Sequence, residues 1–308
     1  AGFAILLALL VLVVFLGGRR PSPADYEGWM RERIDLPARQ PGAFLRLTFL
    51  GTTTVLVDDG HHAVMTDGFF TRPSLTELLT GRIVPDGERI RVGLRRAATA
   101  ARVAAWGGET ESLRLSAVIP LHSHHDHAMD APEVALQTGA LLVGSDSTRM
   151  IGLGWGLPED RIRVVQPGEI LTFGDLTLRW LASPHSPVPG LVGRLTGIGR
   201  VIERPLSAPA ALSDYKEGQT FSLLIDHPAA RVLIHGSAAV ADGGLRGVEA
   251  DVVFLGIATL IKQPLDVQRD YIRRVVLNTG ARQVVPVHWD DFTRYAEGAL
   301  VAMPFLAD

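Results

Sequence analysis

Short apolar runs separated by turn signals recur along the chain and predict two kinds of element. Runs of four to eight apolar or alternating residues are typical of β-strands, whereas apolar residues at a spacing of three and four are typical of helices. Asp59-Gly60 between two such strands is a strong hairpin signal. The predicted strands are 44–51, 54–58, 62–67, 115–121, 141–144, the part of 172–182 that follows a turn at its start, 220–226, 231–237, 251–257 and 283–288. The predicted helices are 74–79, 89–106, 266–279 and segments beginning at 130 and 146.

The longest apolar run, residues 1–18, does not fit this pattern. It is uncharged and of a length that just crosses a bilayer, so it predicts a signal anchor or a signal peptide. Arg19 and Arg20 after the run favour a cytoplasmic domain. We nevertheless expect export, facing the periplasm or the cell exterior, since the sequence starts without methionine and a preceding charged segment would reverse that rule. Residues 19–43 are then a linker and lead-in, 44–308 one catalytic domain, and about 186–218 an inserted loop rich in proline and glycine.

Composition limits the chemistry that the chain can use. Hydrophobic residues make up 47% of the chain and charged residues 20%, which is enough apolar material for a sizeable core. The net charge of -3 gives no basic surface for nucleic acid. Because there is no cysteine, any metal must be held by nitrogen and oxygen.

The run His122-Ser-His124-His-Asp126-His127 follows a predicted buried strand and predicts a metal site. Imidazoles this dense would repel one another when protonated, whereas a divalent cation stabilises the cluster. The alternative is an accidental polar loop. Asp130 is placed to cap the helix that begins after the run, with proline in its first turn.

The run matches the HxHxDH signature, and from about Phe44 to about Tyr295 the chain resembles the metallo-β-lactamase superfamily. The resemblance implies an α/β (α+β) fold, a four-layer αββα sandwich, with one or two metals, usually Zn²⁺, at one edge of the sheets. His185, between prolines at a strand end, matches the third metal position of the family, and His288 matches its last ligand. Asp67 matches an aspartate that supports the metal loop; a simple turn aspartate before Gly68 explains that position equally well.

One position departs from the family. Where a Gly-Asp pair commonly supplies a carboxylate that bridges two metals, this chain has Gly236-Ser237. The resemblance then implies two sites: the first comprises His122, His124 and His185, and the second Asp126, His127 and His288. His235 either faces the site or is a satisfied histidine of the sheet. Tyr215, Lys216 and Glu217 are either substrate contacts or solvated turn residues, and Trp289 is a further candidate near the site.

These residues predict metal-assisted hydrolysis by hydroxide generated at the metal, with Asp126 orienting the nucleophile. The bond is an ester, a lactone or a phosphodiester, and the resemblance is to the broad lactonase and phospholipase-like group. The expected partner is a small-molecule or lipid-like substrate, with membrane contact through residues 1–18. Two alternatives stay open: a non-catalytic or single-metal binding protein with a degenerate second site, and an amide hydrolase of the β-lactamase type.

Overall fold

The computed structural model describes residues 35–101, 115–188, 196–295 and 300–303. The predicted anchor at 1–18 lies outside this range, as do most of the predicted linker and the residues after Ala101 of the predicted helix 89–106. Within the described ranges, no helix combines the length and the apolar character needed to span a membrane.

Six strands form the first sheet, in sequential order. The first three form an antiparallel meander, and the remaining strands continue from the third in parallel. The strands are β1 (Arg46–Gly51), β2 (Thr54–Asp58), β3 (Ala63–Thr66), β4 (Ala117–Ile119), β5 (Leu141–Gly144) and β6 (Ile162–Val164). The predicted meander and its hairpin turn are therefore confirmed.

Six further strands form the second sheet, in the order β12-β11-β10-β9-β8-β7. Strands β7 to β10 pair antiparallel, whereas β10, β11 and β12 are parallel. The strands are β7 (Ile170–Phe173), β8 (Leu176–Ala182), β9 (Phe221–Asp226), β10 (Arg231–His235), β11 (Val252–Gly256) and β12 (Gln283–Val287). In this pairing β8, β10, β11 and β12 all run in the same direction.

Helices cover the outer faces of the two sheets. They are α1 (Leu75–Thr80), α2 (Gly87–Ala101), α3 (His125–Ala128), α4 (Ala131–Thr138), α5 (Asp146–Gly154) and α6 (Leu265–Ile272), with 3-10 turns at Glu159–Arg161, Leu212–Asp214 and Leu260–Lys262. The predicted helix 266–279 continues from α6 as a π-helical segment, Arg273–Leu277.

The core consists of one layer between the sheets and one layer outside each. Along β2, Val55 and Val57 pack between the sheets while Leu56 packs under the helices, as the alternation of a strand requires. Along β10, Ile234 faces the central layer and Leu233 the outer one. Because buried apolar layers lie between the sheets and on the outer side of each sheet, the predicted four-layer αββα sandwich is confirmed.

The described parts of the predicted insertion pack on the domain. Ile83 and Ala210 form an antiparallel bridge, and the amide of Ile202 donates to the hydroxyl of Ser147 at 2.9 Å. The carbonyl oxygen of Glu217 accepts from the amide of Ser123, within the histidine-rich run, at 2.8 Å. This segment therefore forms one wall beside the candidate metal loop.

The predicted capping role of Asp130 is wrong. Its backbone is already helical, and its side chain makes no capping hydrogen bond. Its carboxylate instead accepts from the amides of Phe70 and Thr71, at 2.7 and 2.6 Å, and from the Thr71 hydroxyl at 2.7 Å. The chain that follows Asp67 is thus held against α4, because these buried donors otherwise lack an acceptor.

Candidate metal centre

The candidate ligands come from strand ends that meet at one edge of the sandwich. His122 follows β4, whereas His185 follows β8 and His288 follows β12 in the second sheet. Asp126 and His127 lie in α3, the single turn that begins directly after His124. The two sheets therefore each contribute to both groups.

The structure brings the six side chains together in the two groups that the sequence indicated. His122, His124 and His185 form one group, and Asp126, His127 and His288 form the other; within each group the potential ligand atoms lie within 4.8 Å of one another. The rings of His122 and His127 are 3.8 Å apart between centroids. The two groups are therefore immediate neighbours.

The spacing of the donor atoms fits a bound divalent cation. His122 Nε2 lies 3.0 Å from His124 Nδ1, and His288 Nε2 lies 3.2 Å from His127 Nε2 and 3.3 Å from an oxygen of Asp126. Two ligands at tetrahedral angles on a metal with bonds of about 2.0 to 2.1 Å lie about 3.3 Å apart. Imidazole and carboxylate donors suit zinc and neighbouring divalent ions alike.

Asp67 supports His127 from behind. Its Oδ2 lies 2.8 Å from His127 Nδ1 and also accepts from the hydroxyl of Thr53, while its Oδ1 accepts from the amide of Leu121 at 2.9 Å. An aspartate that binds Nδ1 fixes the tautomer and leaves Nε2 free for a metal. Asp67 is thus placed in the supporting position that the resemblance implied.

The hydroxyl of Ser237 holds the backbone next to His185 and does not take the position of a metal ligand. His185 Nδ1 lies 2.7 Å from the carbonyl oxygen of Ser186, so Nε2 faces the other histidines. The amide of Ser186 in turn donates to the hydroxyl of Ser237 at 2.7 Å. The serine at the position of the missing bridging carboxylate therefore fixes the backbone next to a candidate ligand.

Burial and neighbouring charge set the protonation of the site. Burial lowers the pKa of His122 well below its ordinary value and that of His124 to about 3, and nearby histidines add to both effects. Burial alone would raise the pKa of Asp126, but His127, His125 and a hydrogen bond with His288 hold it well below its usual range. Burial alone would lower the pKa of His127, but Asp67 and Asp126 raise it above its ordinary value. An ionised carboxylate and neutral imidazoles are the forms that bind metal, so metal binding at the second group competes with a proton on His127.

His125 is a buried residue for which the motif indicates no role. Its Nδ1 lies 3.5 Å from an oxygen of Asp126, and its buried Nε2 has no hydrogen-bond partner. The rings of Phe69 and Phe292 approach it edge-on, with centroids 6.1 and 5.8 Å away. His125 thus packs between two phenylalanine rings and places its ring next to the carboxylate of Asp126.

Two of the additional candidates lie away from the metal groups. Both ring nitrogens of His235 are occupied, by the Ser222 hydroxyl at 2.6 Å and the Ala239 carbonyl at 2.8 Å, so it is the satisfied sheet histidine. Tyr215 is 2% exposed and belongs to the same buried cluster as Phe69, so solvation is the wrong interpretation for it.

The remaining candidates are buried or half-buried. Glu217 is buried, and its carboxylate accepts from the Thr220 hydroxyl at 2.8 Å and the Gly199 amide at 2.7 Å, so it is not a solvated turn residue. Lys216 and Trp289 are half-buried, and the Trp289 ring packs on Phe49 with centroids 6.3 Å apart. No described contact joins Trp289 to the two groups.

No protein-family model and no curated protein matches this chain. Solved structures of similar fold include Igni18, a metallo hydrolase from Ignicoccus hospitalis, with 14% identity over 82% of this chain and 86% of that one and a TM-score of 0.47. YhfI, a metallo-β-lactamase fold protein from Bacillus subtilis, has 14% identity over 82% and 85%, with a TM-score of 0.46. An isothiocyanate hydrolase from Delia radicum gut bacteria has 16% identity over 79% and 84%, with a TM-score of 0.45. Likeness at this level does not identify a substrate.

Proposed function

We propose that this chain is a metal-dependent hydrolase of the metallo-β-lactamase superfamily that holds two divalent cations, zinc in the first instance. The main support for this proposal is that two groups of three potential ligands lie next to each other. Each group leaves a coordination position open, as catalytic sites do, whereas structural zinc sites close all four positions. The ionised Asp126 and the imidazole nitrogens of the five histidines provide the donor set that such ions need.

Divalent cations held by these two groups would supply Lewis-acid chemistry: they would lower the pKa of a coordinated water from ~15.7 to ~7 and polarise the oxygen of the scissile group. Asp126 has two oxygens with different surroundings. Oδ2 lies among the nitrogens of His127 and His288, while Oδ1 lies toward His125. One oxygen of Asp126 can thus ligate while the other accepts the proton of the attacking water.

The substrate class is an ester, a lactone or a phosphodiester, and the lipid-like members of that class agree with a membrane anchor at residues 1–18. Leu36 packs against the core, and the amides of Arg39 and Gln40 bind the turn that precedes β10. The candidate ligands lie at the other ends of the strands. The metal centre therefore lies at the opposite end of the strands from Arg39 and Gln40, so the anchor favours lipid-like substrates by holding the domain at the membrane and not by placing the site in the bilayer.

Metal content and hydrolysis test the proposal together. The purified chain is stripped with chelator, reconstituted with zinc and analysed for metal, and then given a panel of esters, lactones, phosphodiesters and β-lactams. We expect close to two ions per chain, and one ion in each of the variants His122→Ala and His288→Ala. Fewer than one ion after reconstitution would contradict a metal-dependent enzyme, and a single ion per chain would contradict the two-ion site.

Two outcomes of the same experiment support the alternatives. Two bound ions without turnover on any member of the panel would favour a non-catalytic binding protein. Hydrolysis confined to the β-lactams would favour the amide hydrolase.

A further inference from the structure

His288 is held in a backbone conformation that histidine rarely adopts. Its φ is 61°, in the left-handed region where a side chain crowds its own backbone. Its amide donates to the carbonyl oxygen of Thr52 at 2.6 Å. Since residues in such conformations persist only where their surroundings impose them, something must fix both Thr52 and the chain after His288.

Asp290 joins these two segments. One oxygen of its carboxylate accepts from the amide of Thr52 at 2.8 Å, so Thr52 is bound on one side by His288 and on the other by Asp290. The second oxygen accepts from the guanidinium of Arg72, which also donates to the carbonyl oxygen of Asp291 at 2.8 Å. The loop that carries the last candidate ligand is thus held at three points.

The ion pair is deeply buried and closely packed. The side chain of Arg72 is 4% exposed and that of Asp290 is fully buried. Gly51 has a φ of 110°, and a Cβ built there would lie 2.1 Å from a nitrogen of Arg72 and 2.9 Å from an oxygen of Asp290. The pair therefore lies directly against the backbone that precedes Thr52, and this contact requires glycine.

We propose that Arg72 and Asp290 are positioning residues that hold His288 in place as a ligand of the second ion. A buried ion pair often contributes little net stability, because desolvation offsets the attraction. The ion pair between Arg72 and Asp290 instead fixes the loop, so that Nε2 of His288 points at His127 and Asp126. The inference rests on the proposed two-ion site and adds to it two residues that touch no metal.

Stability and metal affinity can be separated with a double variant. Arg72→Met or Asp290→Leu alone leaves an uncompensated buried charge and should lower the unfolding midpoint. Arg72→Met/Asp290→Leu removes both charges, so the midpoint should recover. The dissociation constant of the second ion should nevertheless stay about 10- to 100-fold above that of the wild type, the range typical of lost support behind a ligand.

The measurement is zinc competition against a chromophoric chelator on the full chain, with thermal unfolding in parallel. Thr279→Val is the control for a general loss of stability, because its buried hydroxyl bonds only to the carbonyls of Val275 and Val276, in the π-helical segment. His288→Ala gives the value for complete loss of the second ion. The first ion should bind every variant with wild-type affinity.

Two results would overturn the inference for different reasons. If the double variant regains both its midpoint and its second-ion affinity, the pair is only a structural contact. If the wild-type chain itself binds fewer than two ions, the two-ion site fails, and the role for the pair fails with it.

Discussion

The hydroxyl of Ser237 accepts a hydrogen bond from the amide of Ser186, with 2.7 Å between nitrogen and oxygen. The hydroxyl of Tyr271 approaches the carbonyl of Ser237 at 3.3 Å and that of Gly256 at 2.8 Å. Ser237, which follows β10, thus links the second sheet to the loop that carries His185. Ser237 stands where the resembled family commonly has a bridging carboxylate. In this chain its hydroxyl holds the loop that carries His185.

Ser237→Ala should weaken the first metal site without abolishing activity. The substitution removes one acceptor from a buried amide, and a loss near 1.4 kcal/mol corresponds to about tenfold in affinity or rate. Asp126→Ala removes both a ligand and a proton acceptor, so it should lower turnover by several orders of magnitude. Zinc affinity and turnover on the substrate found by the panel measure both effects.

Ser237→Asp is the matched gain-of-function variant. A carboxylate there can still accept from Ser186 and adds a negative charge beside the two groups, so zinc should bind more tightly. Should Ser237→Ala prove as damaging as Asp126→Ala, Ser237 has a direct part in the chemistry.

Asp67→Asn should lower the affinity of the second site by about 10- to 100-fold. Both oxygens of Asp67 accept hydrogen bonds, from the Leu121 amide on one side and from Thr53 and His127 on the other. An amide places its NH₂ group against one of these donors, so His127 loses its orientation. Zinc competition on the purified variant measures the change.

Asp58→Asn is the control for the Asp67 variant. Asp58 is equally buried, but it lies in the β2–β3 hairpin, where its carboxylate accepts from the amide of Gly60 and contacts none of the six candidate ligands in the described structure. Zinc affinity in this variant should be that of the wild type. Equal losses in both variants would show that the effect is a general one of buried carboxylates.

The sheets could be predicted from the sequence because their signals are local. The alternation in β8 and the continuous apolar run of β10 each fit within one short segment, and Asp59-Gly60 fixes the turn between β2 and β3. The six candidate ligands could be identified because four lie in one run and two lie at predicted strand ends. Strands β6 and β7 were not indicated by the sequence pattern. Strand β6 has no comparable apolar run, and β7 ends at residues that the pattern assigned to a turn.

The residues that support the ligands could not be predicted in the same way. Arg72 and Asp290 are 218 positions apart, so no local pattern links them. Asp130 has the sequence features of a helix cap, yet its carboxylate binds a loop about 60 positions away. Tyr215 lies among turn residues in sequence, and only tertiary packing buries it. Side-chain support of this kind depends on contacts that the folded chain alone creates.

The folded domain should include residues 35–43, which precede the predicted start of the catalytic domain at 44. Leu36 packs against the central core, and the amides of Arg39 and Gln40 donate to the carbonyls of Ala229 and Pro228, at 2.8 and 3.0 Å. A chain that starts at 44 loses these contacts and should be about 2 kcal/mol less stable than one that starts at 35. Denaturant unfolding of both proteins measures the difference.

The same truncation tests the membrane prediction. A chain from residue 35 should keep its hydrolytic activity and leave the membrane fraction. If it stays with the membrane, residues 1–18 are not the anchor.

His235 should make the domain less stable at acid pH, and a variant at this position can separate its contribution from those of the other histidines. Burial lowers the pKa of His235 to about 4, although the hydrogen bond to the Ala239 carbonyl partly opposes this. The unfolded chain, with a pKa near 6.5, binds the proton first as pH falls. The contribution to stability is therefore fully present above about pH 6.5 and is lost between there and about pH 4.

The size of this effect is about 3 kcal/mol, since each unit of pKa difference corresponds to 1.36 kcal/mol. His235→Gln introduces a polar side chain that does not titrate. The variant should be less stable than the wild type at pH 7, and the difference between their free energies of unfolding should shrink as pH approaches 4. Both proteins are measured without metal, so that loss of zinc in acid does not contribute. A gap that stays constant between pH 7 and pH 4 would show that His235 does not titrate differently in the folded and unfolded chains.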